Sequence, residues 1–191
     1  MFHKSSRKIV NRLLKNGTIC KSDYEIYLFG MEQLLMNVLD IVTVLLIGVM
    51  LNMFFHTIFF VVAFMLLRSY AGGYHASTPV RCYLLTTTIT IIALSVMKYI
   101  NFDGFVLFGL YIAASIVILM LAPVESKNKP LDALEIIYYK RKIKLLWGLQ
   151  SMIALMCGIL KFQSGKKGII FAQVILSVSM IYEKCITKCK R

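Results

Sequence analysis

A chain of 191 residues that is 59% apolar, with a positive mean hydropathy, carries too much greasy surface for an ordinary water-soluble domain. Its 22 Lys and Arg against 9 Asp and Glu leave a formal charge of +13. In a membrane protein that excess marks cytosolic loops and contact with anionic headgroups of the bilayer rather than nucleic acid, so composition points to an all-α integral membrane protein.

The first 21 residues form a basic arm without the unbroken apolar run of a cleavable signal, so the segment is expected to be retained. Within it Ile9, Val10, Leu13 and Leu14 recur at helical spacing while Lys8, Arg12 and Lys15 project elsewhere, the pattern of an amphipathic N-terminal helix lying in the membrane interface. Ser22-Asp-Tyr-Glu25 reads as a capping box that starts the first long helix ahead of the lipid. Along that helix Glu32, Gln33, Asn37 and Asp40 share one arc, so they are expected to face the protein interior, toward the 68–82 segment or toward a second copy in a homodimer. An interhelical hydrogen-bonding seam without a chemical role carries the same signature.

Six apolar runs follow one another at 34–51, 54–67, 80–97, 105–122, 145–160 and 169–181, each near the roughly 20 residues that cross a bilayer core. Between the second and third lies Arg68-Ser-Tyr-Ala-Gly-Gly-Tyr-His75-Ala-Ser-Thr-Pro79-Val-Arg81-Cys82, a polar, glycine-bearing interruption. Gly72-Gly73 and Pro79 predict one helix that ends near the glycines and another that begins near the proline, a broken hairpin between spans 2 and 3. After the fourth run, the loop at 123–144 is kept non-helical in its first part by Pro123 and Pro130, whereas 131–144 can be helical. An even number of spans puts the N-terminal arm, the 68–82 segment, the 123–144 loop and the tail after Tyr182 on one side, where they collect 18 of the 22 basic residues. That side is expected to be the cytosol, holding both termini, His75 and Cys82. The whole of 1–191 reads as a single membrane-embedded domain.

Cysteine is a nucleophile as its thiolate, which a neighbouring imidazolium or guanidinium favours. His75 and Cys82 are seven residues apart. On one unbroken helix that separation is about 10 Å, too far for a hydrogen bond, but the break at the glycines and Pro79 lets the histidine fold back onto a cysteine near a helix N-terminus. Each residue alone also fits a bland role, His75 bonded to backbone at the interface and Cys82 packed as a small side chain between helices. Their joint presence in a broken hairpin singles them out as a candidate catalytic pair. Arg68 and Arg81 flank it, placed either to bind a substrate carboxylate or oxyanion or simply to snorkel to the interface. Gln33 and Asp40 are candidates for a third, orienting group. No second pair of His, Cys or carboxylate ligands accompanies His75, so neither a metal nor another cofactor is expected. The five cysteines lack the paired spacing of a disulfide scaffold and are expected to be reduced.

The motif from Arg68 to His75, Cys82 seven residues later, and the loop Ala122-Pro-Val-Glu-Ser-Lys-Asn-Lys-Pro-Leu131 together resemble the accessory gene regulator protein B (AgrB) membrane peptidases of Gram-positive quorum sensing. The resemblance implies that His75 and Cys82 are the catalytic pair of a cysteine endopeptidase. Its substrate would be a short amphipathic propeptide with an acidic tail. The cysteine would release that tail, leaving an acyl-enzyme thioester that an internal nucleophile of the precursor converts to a thiolactone or lactone ring. The acidic tail would suit the basic face, where Lys127, Lys129, Lys140, Arg141, Lys142 and Lys144 are candidate contacts, although juxtamembrane lysines equally anchor headgroups. Two other classes compete: a small peptide exporter whose glycine-bearing hairpin is a re-entrant gate, and a non-catalytic membrane scaffold.

Overall fold

The computed structural model describes residues 3–73, 79–124 and 132–189. These form seven α-helices: α1 His3–Lys15, α2 Tyr24–Met50, α3 Phe54–Ala71, α4 Pro79–Tyr99, α5 Gly104–Leu121, α6 Ala133–Ile159 and α7 Gln163–Cys189. Helices α2 to α7 are each long and apolar enough to cross a membrane, so the six predicted spans are all present. Several run past their apolar stretches. Helix α3 continues to Ala71 and thus takes Arg68 into its last turn, and α6 begins at Ala133, so that the basic segment after Asp132 belongs to a spanning helix. That start is fixed by a reciprocal capping box between Asp132 and Glu135.

The capping box expected at Ser22–Glu25 does not form. A 3₁₀ turn, Lys21–Asp23, precedes α2, the Asp23 amide bonds the Cys20 carbonyl at 3.1 Å, and the Ser22 hydroxyl goes to Asp23 Oδ1 at 3.0 Å. The extended cap position falls at Cys20 (φ −82°, ψ 156°), so Ser22 already lies inside the tighter turn rather than at a helix cap.

The chain divides into two compact units, one made of Met1–Leu46 and Ala76–Thr90, the other of Ile47–His75 and Ile91–Arg191. In the first, the apolar stripe of α1 does not simply face lipid. Val10 is fully buried against Ile19 and Leu28, with Leu13, Leu14, Tyr24 and Met31 around them. Tyr24 donates to Asn11 Oδ1 at 3.0 Å and His3 pairs with Glu32, so the arm is fastened to the start of α2.

In the second unit α7 is the central element, packed along α3 and α5 and also against α6. Glycine permits a close approach of α7 to α3: a Cβ on Gly168 would lie 2.7 Å from the His56 carbonyl oxygen. One core layer gathers Phe60, Leu94, Leu107 and Ile169 to Ala172; a second gathers Leu67, Ala71, Ile118, Ile143, Leu176 and Met180. Several polar groups at this depth are paired between helices, because lipid offers no alternative partner. Trp147 donates to Ser115 Oγ at 3.0 Å, Tyr111 to Ser151 Oγ at 2.7 Å, and Gln150 to the Ala63 carbonyl at 2.9 Å. Outward-facing Phe105, Phe108, Met120 and Met152 are exposed, as lipid-facing side chains should be.

Candidate catalytic site around the helix break

Helix α3 stops where its sequence says it must. Gly72 has φ +75° and ψ −150°, a conformation that L side chains rarely adopt, and its amide bonds the Arg68 carbonyl at 3.2 Å to close the helix. Gly73 follows at φ +123°. The two glycines turn the chain out of α3, and α4 starts at Pro79, where a missing amide proton costs nothing. The predicted broken hairpin is therefore present at both of its described ends. Residues 74–78 and 125–131, and with them His75, Lys127 and Lys129, lie outside the described residues.

Cys82 is the fourth residue of α4 and half-buried, and its carbonyl accepts from Thr86 Oγ1 at 3.0 Å. Arg81 beside it is exposed. Both belong to the first unit, together with the polar arc of α2. That arc divides: Gln33 and Asn37 are exposed and bonded to each other at 3.1 Å, whereas Glu32 and Asp40 are half-buried. Within the single chain Gln33 and Asn37 thus lie outside the packed interior, and their amides satisfy one another one turn apart. Thr43, on the same side of α2 as Asp40, is 3.1 Å from the Tyr83 hydroxyl, which sets this stretch of α2 beside the first turns of α4.

Arg68 belongs to the second unit. Its guanidinium lies over the Phe64 ring, 5.4 Å from the centroid, and Nη1 donates to Ser179 Oγ on α7 at 3.4 Å. Gly73 completes this corner, since a Cβ there would stand 2.9 Å from Ser179 Oγ and 3.7 Å from Arg68 Nη1. A half-buried arginine held in this way is fixed in direction, unlike one that snorkels freely. Gly72 makes a parallel bridge with Val124, whose amide donates to the Ala71 carbonyl at 2.9 Å. Tyr70 and Tyr139 meet edge to face nearby in the same core layer, at 5.8 Å. Sequence reasoning missed Ser179 and Val124, because nothing in local spacing ties either to position 68 or 72. The unusual glycine pair was the one available sign that something packs closely there.

The basic stretch of α6 presents Lys140, Arg141 and Lys144 as exposed side chains, with Lys142 over the Tyr138 ring at 5.6 Å. Among the described residues no three His, Cys, Asp or Glu side chains converge as a metal site, and Cys20, Cys82, Cys157 and Cys185 are free thiols.

The family profile described as Accessory gene regulator B matches residues 6–182. An AgrB-like protein 2 of Clostridium perfringens strain 13 is 30% identical over 138 residues, 69% of this chain and 64% of that protein. A second AgrB-like protein, from strain SM101 of the same organism, is 29% identical over 114 residues, covering 56% of this chain and 53% of the relative. Accessory gene regulator protein B of Staphylococcus aureus strain MW2 is 28% identical over 104 residues, 54% of this chain and 56% of that protein. The matched stretches thus span between about half and two thirds of these relatives, and no solved structure matches. With its six apolar helices and a profile match across most of its length, this multi-pass membrane chain belongs to the accessory gene regulator B family.

Proposed function

We propose that the chain is a membrane cysteine endopeptidase of quorum-sensing peptide processing, with Cys82 as nucleophile and His75 as base. The observation that carries the reading is the family match, joined to a helix break after which Cys82 lies in the first turn of α4. The Cys82 thiol passes its proton to His75 as the sulfur adds to the carbonyl carbon of a bond near the precursor's C-terminus. The departing amine takes that proton as the tail leaves, and the peptide remains on Cys82 as a thioester. An internal thiol or hydroxyl of the precursor then attacks the thioester carbonyl, which frees Cys82 and closes the ring. Thiol-to-thiol transfer changes little in bond energy, so the outcome depends on excluding water and holding the internal nucleophile close. Arg68 and Arg81 serve the oxyanion or a substrate carboxylate, with Gln33 and Asp40 as candidates to orient the histidine.

The site lies at the cytosolic face with both termini, because that arrangement gathers 18 of 22 basic residues on one side. The precursor's acidic tail is drawn to that basic face, where exposed Lys140, Arg141 and Lys144 supply charge next to Lys127 and Lys129 of the preceding loop. The exposed Gln33 and Asn37 suit a second copy of the chain.

Processing of an epitope-tagged precursor in cells is the test. His75→Ala and Cys82→Ala should both abolish tail release, and Cys82→Ser should lose most of it, since a hydroxyl lacks the acidity the step uses. Normal cleavage in Cys82→Ala would overturn the assignment and favour an exporter.

A further inference from the structure

At the end of the second unit remote from the Gly72 break, Lys161, Lys166 and Lys167 crowd into seven residues at the passage from α6 to α7. No Asp or Glu lies in α3 or between Glu135 and Glu183, so the helices that meet at this turn bring no carboxylate to balance the three charges. The backbone singles out Lys161. Its amide bonds the Gly158 carbonyl at 3.2 Å and the Phe162 amide bonds the Cys157 carbonyl at 2.8 Å, which closes α6 in a Schellman motif with Lys161 at the left-handed position, φ +56°. Glycine is the usual occupant there, because a Cβ is strained. A lysine at that position, close to two more, runs against both backbone preference and charge repulsion, so the charge itself is what the turn keeps. Around it the packing is tight: a Cβ on Gly165 would stand 2.7 Å from Cys157 Sγ, and one on Gly158 would touch the Lys166 methylene chain at 3.8 Å. Lys167 sits beside His56 in the first turn of α3. Lys166 and Lys167 are half-buried and Lys161 is exposed. Next to them the Phe162 ring meets Phe55 at 6.3 Å and Phe59 at 5.6 Å, and Phe55 and Phe162 form an exposed aromatic wall.

We propose that this corner binds the phosphate of an anionic phospholipid headgroup, with Lys161, Lys166 and Lys167 as its cations and the Phe55–Phe162 wall against the acyl chains. Depth is the first argument. Helices α3, α6 and α7 are each long and apolar enough to cross a membrane, and α3 and α7 begin here while α6 ends, so the turn lies where hydrocarbon gives way to headgroups. Chemistry is the second. Basic pockets between spanning helices take phosphate headgroups, and a lipid alone among anionic partners uses the cations and the apolar wall together. A zwitterionic lipid brings its own ammonium, which three lysines repel, so selection falls on a phosphodiester with no cation of its own. The site is separate from the peptidase reading and stands without it.

The test uses the full chain in phosphatidylcholine nanodiscs doped with phosphatidylglycerol that carries a photoreactive headgroup, and in parallel with the matching phosphatidylcholine probe. Cross-linked residues are mapped by peptide mass spectrometry, which separates this turn from the basic segments elsewhere in the chain. At low salt the phosphatidylglycerol probe should label the 159–167 turn well above the phosphatidylcholine probe, and the difference should shrink as salt is raised. A lysine near the membrane surface contributes about 5-fold, so Lys161→Gly should lower labelling by about that factor. Lys161→Gln combined with Lys166→Gln and Lys167→Gln should bring it to the phosphatidylcholine level, and arginine at all three positions should keep it. Protection of Cys157, buried beside Gly165, reports that the fold survives. If the triple glutamine variant exposes Cys157, Lys161→Gly decides, because it relieves the backbone while it removes the charge. Equal labelling by the two probes in the wild type, or labelling that Lys161→Gly leaves unchanged, overturns the site. Labelling abolished by soluble glycerol phosphate or by an oligoglutamate peptide overturns the lipid assignment in favour of a free phosphate or an acidic peptide.

Discussion

Gly168 tests whether α3 and α7 cross as tightly as described. A methyl group on its Cα would meet the His56 carbonyl oxygen at 2.7 Å, Phe59 Cβ at 2.9 Å and Phe60 N at 3.1 Å. Two of those atoms are main chain in the first turns of α3 and the third is fixed to it, so no rotamer change relieves the contact and the helices must part. Parting them loosens the layer in which Phe60, Ile169, Ile170 and Phe171 are buried. Overpacking of this kind costs about 1–3 kcal/mol. Replacing glycine by alanine in a helix returns roughly 0.5–1 kcal/mol, so Gly168→Ala should be destabilised by about 1–2 kcal/mol. That net loss corresponds to a roughly 5- to 30-fold fall in the ratio of folded to unfolded chains. Gly109 on α5 and Gly148 on α6 supply controls, because a Cβ at either meets nothing within 4 Å. Heating in detergent with labelling of the buried Cys157 thiol reads all three variants in one assay. Gly168→Ala should open at lower temperature than wild type, and Gly109→Ala and Gly148→Ala at the same temperature or higher. If all three open together, the crossing is not close and the reasoning fails.

The buried amide pair makes a second test. Gln150 bonds Ala63 and also accepts from Gln173 Nε2 at 3.4 Å, while Gln173 Oε1 has no partner among the described residues. Gln150→Leu strands the Gln173 amide and should cost about 1–3 kcal/mol, whereas Gln150→Leu with Gln173→Leu should regain much of that; a double variant no better than the single contradicts the pairing. At the other end of the chain, Val10→Asp places a carboxylate in a fully buried site and should release α1 to limited proteolysis while Cys157 stays protected. Retained protease resistance would mean that α1 is held by something other than its contact with α2. For Arg68, lysine keeps the charge but loses the planar fork that reaches Ser179 over Phe64, so Arg68→Lys should process precursor more slowly than wild type. Equal rates would reduce its role to charge alone.

Much of this architecture was legible because lipid simplifies the rules. Every spanning segment must satisfy its own backbone, so length and apolarity locate helices without any knowledge of packing. Gly72-Gly73 and Pro79 marked the break for a similar reason: the first pair tolerates positive φ and the proline gives up an amide that a helix start does not use. Boundaries were harder. Arg68 and the stretch from Ala133 to Lys144 fall outside the apolar runs, yet they continue the helices, as the glycine pair and the helix-compatible stretch 131–144 allowed, because helix hydrogen bonds do not depend on side-chain polarity. Ser22 to Glu25 had the letters of a capping box but not its geometry, because a 3₁₀ turn puts the extended cap position two residues earlier, at Cys20.

The residue types alone determined a basic, six-span membrane protein with a thiol and an imidazole near a glycine break, since composition and local backbone chemistry act over a few neighbouring positions. Which residues close on that break was decided only by tertiary packing. Val124 reaches Gly72 across 52 positions and Ser179 reaches Arg68 across 111, because α7 packs along both α3 and α5 and brings their ends to one corner. Such contacts depend on helices fitting side by side, and no spacing along a single chain encodes them.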